Sequence, residues 1–86
     1  MFYVHIIESI TSRKWYFGFT ERDPIERLIE HNGNHHHFTA NKGPWKLIFA
    51  RSFENKRDAL QFENTLKSIR NKIFIRRKFR EYFLDD

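Results

Sequence analysis

The chain of 86 residues contains no cysteine, which excludes disulfide staples and thiolate metal sites and fits a reducing compartment. No apolar run approaches the roughly 20 residues of a membrane-spanning helix. The opening Met1-Phe2-Tyr3-Val4-His5 has no basic stretch of the kind that begins a secretory signal. A cytoplasmic protein without a membrane partner is expected. No repeat, linker or low-complexity tract divides the sequence, so residues 1–86 are expected to form one small domain with no room for a second core. Large apolar bodies are abundant instead. Ten Phe, three Tyr and two Trp are enough for a compact fold without staples.

The net charge is +5, and its placement matters more than its size. From Lys67 onward come Arg70, Lys72, Arg76, Arg77, Lys78 and Arg80, while the acids of that stretch are Glu81, Asp85 and Asp86. A basic end on a small domain suits a polyanionic partner, the alternative being a solvated helix face.

Phe2 to Ile7 is dense in aromatic and β-branched residues, as a buried strand should be. Glu8 to Lys14 is a polar connection, and Trp15 to Thr20 resumes strand composition, so the two segments read as a hairpin. Alternation places Tyr3, His5 and Ile7 on one face of the first strand, and Lys14, Tyr16, Gly18 and Thr20 together on the second. A glycine inside a strand, as at Gly18, usually marks a close approach to the backbone. Asp23-Pro24-Ile25-Glu26 has the form of a helix start, with Asp as N-cap and Pro at the first helical position. Ile25, Leu28 and Ile29 make its inward stripe, Arg27 and His31 share the opposite face, and Asn32-Gly33 ends it. Gly33 to Pro44 reads as a loop. Trp45 to Phe53 is a third strand, apolar on both faces except for Lys46, Arg51 and Ser52, which suggests a central, covered position. Asn55 can cap a helix from about Lys56 to Ile69 whose apolar face is Ala59, Phe62, Leu66 and Ile69. A last helix is expected over about Asn71 to Leu84. The fold class is therefore α+β in the order β-β-α-β-α-α.

A polar set crosses these segments: His5 and Tyr16, then Arg27 and His31, then Glu63. A phenol, a guanidinium, an imidazole and a carboxylate suit metal-assisted cleavage of a phosphodiester. Glu63 is the most conspicuous, lying about 40° from Ala59 and about 60° from Leu60 and Leu66 on the helical wheel. A carboxylate so near the core edge needs a cation or hydrogen bonds. The plainer reading is a surface pair with Lys67 at i+4. Tyr16 could equally be a strand tyrosine, since a phenol becomes a base only beside a metal or strong cation. Arg27 could be an ordinary exposed helix arginine, His31 could face a helix C-terminus, and His5 could be a structural histidine. The run His35-His36-His37 cannot aim all three imidazoles at one ion without strain. It reads as a phosphate-contacting or solvated loop.

Taken together these segments resemble the GIY-YIG nuclease domain in its small stand-alone form, over nearly the whole chain. Tyr16-Phe17-Gly18 matches the second signature tripeptide with Phe for Ile, and Tyr3-Val4-His5 falls where the first should be. Arg27 and His31 match the family's helix residues within Arg27-Leu28-Ile29-Glu30-His31-Asn32. Phe38-Thr39 and Gly43-Pro44-Trp45-Lys46-Leu47 resemble the loop and third-strand entry of stand-alone members. Arg57-Asp58-Ala59-Leu60, followed by Glu63 and Lys67, matches the helix that carries the metal-binding glutamate.

The resemblance implies a three-stranded antiparallel sheet flanked by helices and an endonuclease that hydrolyses DNA phosphodiesters with Mg²⁺ or Mn²⁺. Family members serve in homing, restriction, repair and transposition. It further implies Tyr16, Arg27, His31, His5 and Glu63 as the catalytic set, with Glu63 as metal ligand. Lys67, Arg70, Lys72, Arg76, Arg77 and Lys78 are the expected nucleic-acid contacts. No small-molecule cofactor is expected, and the chain would act as a monomer or weak homodimer. Several positions depart from the family pattern. The first tripeptide has Tyr3 for Gly and His5 for Tyr, and the step from Tyr16 to Arg27 is one residue longer. The asparagine that many members keep after the glutamate has no counterpart in Ile75 to Lys78, and Asn71 comes too early. Phe19 replaces a lysine found in some repair nucleases. The alternative function is a catalytically weakened nucleic-acid-binding module with the same fold.

Overall fold

The computed structural model describes residues 1–25 and 44–84. Three strands, β1 (Phe2–Ser9), β2 (Trp15–Thr20) and β3 (Trp45–Phe53), are followed by helices α1 (Lys56–Ser68) and α2 (Lys72–Lys78) and a 3₁₀ turn, Arg80–Tyr82. Between β2 and β3 a helix begins at residues 24 and 25. The sheet is antiparallel with strand order β2-β1-β3. This is the α+β class and the three-stranded sheet expected above.

Strand order is where the structure departs most from the sequence reading. β3 is not central; β1 is, because its residues are the ones paired on both sides, Phe17 and Phe49 flanking Ile6. The apolar content of β3 has a different cause. Its outer side is covered by the returning chain end, where Phe83 bridges Phe49 and the Leu84 amide donates to the Ile48 carbonyl at 2.8 Å. Apolar composition reports burial and not position in the strand order.

β1 also runs past Ile7 to Ser9. The polar residues Glu8 and Ser9 stay in the strand because both are buried and satisfied. The Trp15 indole donates to Glu8 Oε2 at 3.1 Å, with Arg13 and Lys46 at 3.7 and 3.6 Å from the same carboxylate. The Ser9 hydroxyl accepts from the Ser12 amide at 3.1 Å. Arg13 adopts φ 64° to close this hairpin, its amide donating to the Ser9 carbonyl.

The core lies on one face of the sheet. Val4 and Ile6, cross-strand from Phe19 and Phe17, pack with Ile48, Phe49, Ala59, Leu66 and Ile75. Helix α1 presents the stripe expected of it: Ala59 and Leu66 are buried, and Phe62 and Ile69 pack against the cluster. Its start is fixed by Asn55, whose side chain accepts from the Asp58 amide at 2.8 Å. The Arg51 guanidinium stands 4.6 Å from the centroids of Phe62 and Tyr82 and 4.8 Å from Phe53, tying α1 and the 3₁₀ turn to β3.

Two further expectations are corrected. The last helix does not reach Leu84 but ends at Lys78, with Phe79 as its cap. Phe79, Tyr82 and Phe83 all pack against the core, but Phe83 is extended and bridges Phe49 of β3, so the chain leaves the helix through a 3₁₀ turn instead of continuing it. At the helix start after β2, Asp23 caps as expected, accepting from the Ile25 amide at 2.9 Å. Ile25, however, is 58% exposed, and it is Pro24 that is buried. Leu28, Ile29 and the Asn32-Gly33 stop lie outside the described residues, as does the loop to Gly43.

Candidate active site

The strand register aligns the first part of the site. Tyr3 pairs with Thr20, His5 with Gly18 and Ile7 with Tyr16, so these side chains share the sheet face opposite the core. The glycine explains the geometry: a Cβ at position 18 would lie 2.5 Å from His5 Nε2 and 2.7 Å from Cε1. The close approach that a strand glycine signals is thus the imidazole of the neighbouring strand. His5 is buried, and its ring occupies the space that any other residue at 18 would fill.

The third component comes from α1. Where this helix crosses the β2 edge, a recess of about 220 Å³ is lined by His5, Tyr16, Gly18, Leu60, Glu63 and Lys67, with Phe17 and Phe19 completing the wall. Tyr16 is half-buried and meets Trp45 edge-on, with ring centroids 6.4 Å apart. Glu63 keeps only 12% of its side chain exposed and pairs with Lys67 Nζ at 3.5 Å. The surface pair considered from the sequence therefore forms, and it forms inside the recess. Lys67 remains half exposed, so the pair contributes only a few tenths of a kcal/mol. Phe19, which lines this wall, also stacks on Phe2 with ring centroids 6.2 Å apart.

Three of the five catalytic candidates, His5, Tyr16 and Glu63, thus share one recess. Arg27 and His31 lie outside the described residues, as do His35, His36 and His37. The basic candidates divide. Lys67, Arg70 and Lys72 flank a second depression beside the first. Arg76 is half-buried over the rings of Phe83 and Trp15, at 4.8 and 5.3 Å from their centroids. Arg77 is exposed, and Lys78 is exposed beside Phe74 and Phe79. Asn71 caps α2 by accepting from the Phe74 amide at 3.0 Å, a structural task. Sequence reasoning missed Leu60 and Trp45 as neighbours of the site. For Leu60 a signal existed, since it stands one helical turn before Glu63.

Comparison with known proteins settles what kind of domain carries this recess. Residues 1–79 match the sequence profile of the GIY-YIG catalytic domain. The chain belongs to the GIY-YIG family. Among GIY-YIG relatives, the UPF0213 protein YazA of Bacillus subtilis is 41% identical over 59 residues, spanning 67% of this chain and 59% of that protein. The structure-specific endonuclease subunit SLX1 of Meyerozyma guilliermondii is 39% identical over 71 residues, spanning 74% of this chain but 24% of the yeast protein. The chain therefore matches less than two thirds of either relative's length. The solution NMR structure of the UPF0213 protein BH0048 from Bacillus halodurans superposes with a TM-score of 0.51 at 30% identity, covering 94% of this chain and 81% of that one. The GIY-YIG fold seen here, a three-stranded antiparallel sheet with helices, is the fold of that protein. No helix among the described residues is long and apolar enough to cross a membrane.

Proposed function

We propose that residues 1–86 act as a single metal-dependent endonuclease domain that hydrolyses DNA phosphodiester bonds. The observation that carries this reading is the convergence of His5, Tyr16 and Glu63, from two strands and a helix, on one recess of a GIY-YIG domain. The name of the yeast relative, a structure-specific endonuclease subunit, supports a nucleic-acid substrate.

A divalent ion fits these residues in an open form. Magnesium commonly takes one or two carboxylates, keeps several waters and reaches the substrate's phosphate oxygens. Glu63 is a lone carboxylate on a recess of about 220 Å³, with room for an ion and its waters, and among the described residues no three His, Cys, Asp or Glu side chains converge to make a closed cage. Glu63 would hold the ion; when bound, Mg²⁺ or Mn²⁺ polarises the phosphate and neutralises the leaving 3′ oxygen.

The chain's own groups do the rest. Tyr16 takes the proton of the attacking water, with His5 against Gly18 and His31 assisting. Arg27 stabilises charge on the transition state. Lys67 exchanges Glu63 for a substrate phosphate, and the basic residues Arg70, Lys72, Arg76, Arg77 and Lys78 grip the backbone without reading sequence. One such site cuts one strand, so a double-strand break needs a weak homodimer or two binding events. The deciding experiment is nicking of supercoiled plasmid and branched oligonucleotides with Mg²⁺ or Mn²⁺ against EDTA, beside Glu63→Ala. Metal-dependent nicking that vanishes in the variant is expected; undiminished nicking by Glu63→Ala overturns the assignment.

The Lys67–Glu63 pair favours a second reading, in which the lysine occupies the carboxylate permanently and the domain binds nucleic acid without cutting it. Salt-sensitive binding with no nicking in any metal would support it.

A further inference from the structure

Beside the catalytic recess, between β2 and the α1–α2 junction, lies a second, larger depression of about 330 Å³. Its chemistry differs from that of its neighbour. Lys14, Lys67, Arg70 and Lys72 stand on its walls, Trp15 and Phe17 form part of an apolar floor, and no acidic side chain lines it among the described residues. Phe17 and Lys67 line both depressions, so the two are adjacent. The Lys72 ammonium lies 5.0 Å from the Trp15 ring centroid and donates to the Arg13 carbonyl at 2.8 Å, which fixes a cation above an aromatic face.

We propose that this groove seats an unpaired nucleotide of single-stranded DNA next to the phosphate held in the catalytic recess. Cationic walls suit the phosphates of a strand, and an apolar aromatic floor suits a base face, the combination by which single strands are held without sequence readout. A duplex satisfies only half of this chemistry. Its phosphates can reach the lysines, but its bases are stacked and paired and cannot descend to Phe17 and the neighbouring Ile69 and Ile75. The groove therefore selects substrates with an unpaired segment flanking the cut. It rests on the nuclease reading for what happens beyond Lys67, whereas binding in the groove is independent of cleavage.

The test is equilibrium binding of the full chain in EDTA, which stops any cutting, to three fluorescent probes of equal length: oligo(dT), a fully abasic strand and a duplex. Oligo(dT) is expected to bind roughly tenfold or more tightly than the abasic strand, the scale of base–aromatic stacking, and more tightly than the duplex. Arg70→Glu, at an exposed position on the groove wall, is compared with Arg57→Glu, the same charge change on an exposed α1 position that does not line it. Arg70→Glu is expected to weaken oligo(dT) binding at least tenfold more than Arg57→Glu. Equal affinity for oligo(dT) and the abasic strand, equal or tighter binding of the duplex, or equal losses in the two variants would each overturn the proposal. A retained oligo(dT) preference in a protein that nicks nothing supports the groove and removes only the nuclease reading.

Discussion

The two depressions that meet at Phe17 and Lys67 are built from the same strand and helix, yet they present opposite chemistry. On one side of Lys67 the walls offer an imidazole, a phenol and a carboxylate, the imidazole admitted because Gly18 has no side chain to exclude it. On the other they offer cations over aromatic rings and no acid. The difference follows from β2 itself. Its alternate residues Tyr16 and Gly18 share a face with His5, while Trp15 and Phe17 share the core face. Where α1 packs against this strand, β2 supplies polar groups to one depression and aromatic groups to its neighbour.

That contrast can be broken most completely at Glu63. Glu63→Ala should bring metal-dependent nicking below detection while leaving far-UV circular dichroism unchanged and oligo(dT) affinity undiminished, since it frees Lys67. A variant that loses binding along with cutting would show that the two depressions are one site.

Tyr16→Phe removes a single oxygen from the polar side. A general base contributes about 10²–10⁴-fold, so single-turnover cleavage should fall within that range with little change in binding. A loss under tenfold would assign Tyr16 to packing against Trp45.

Gly18→Ala tests whether His5 and the strand must touch. Overpacking of this kind costs about 1–3 kcal/mol. In a domain of this size each kcal/mol lowers Tm by about 4–8 °C, readable by thermal melts. Cleavage should fall as His5 is displaced, while oligo(dT) binding persists because the groove does not include residue 18. An unchanged Tm would contradict the close packing of the imidazole.

The smallest effect is expected for Lys67→Ala, at the shared wall. Removing one phosphate contact should reduce the slope of log affinity against log salt by about 0.7 for single strands. A slope equal to that of the native chain would place Lys67 on Glu63 alone.

Much of this fold was legible from local chemistry. The capping asparagine and aspartate, Asn55 and Asp23, announced their helix starts, and each accepts the amide its position requires. The β2 and β3 segments and the apolar stripe of α1 followed from composition and periodicity, and the glycine in β2 did mark a close approach. Where reading failed, the deciding partner was distant in sequence. β3 looked central because the returning Phe83 and Leu84 cover it. The last helix looked longer because its aromatics are spaced for a core that only the folded sheet defines. The seat of Arg76 over Trp15, some sixty residues earlier in the chain, was likewise invisible in its local sequence.

The sequence by itself determined which segments are strands and helices, where the helices α1 and α2 begin, and which functional groups the chain carries. Backbone propensity and capping act over a few residues, and those residues are written side by side. Only the tertiary structure decided that β1 is the middle strand, that His5 lies against Gly18, and that Glu63 joins Tyr16 in one recess while Lys67 turns toward two. Such placements depend on register and on the crossing of α1 over the sheet. Many side chains set both jointly by burying their apolar surface together, and no single stretch of sequence contains that sum.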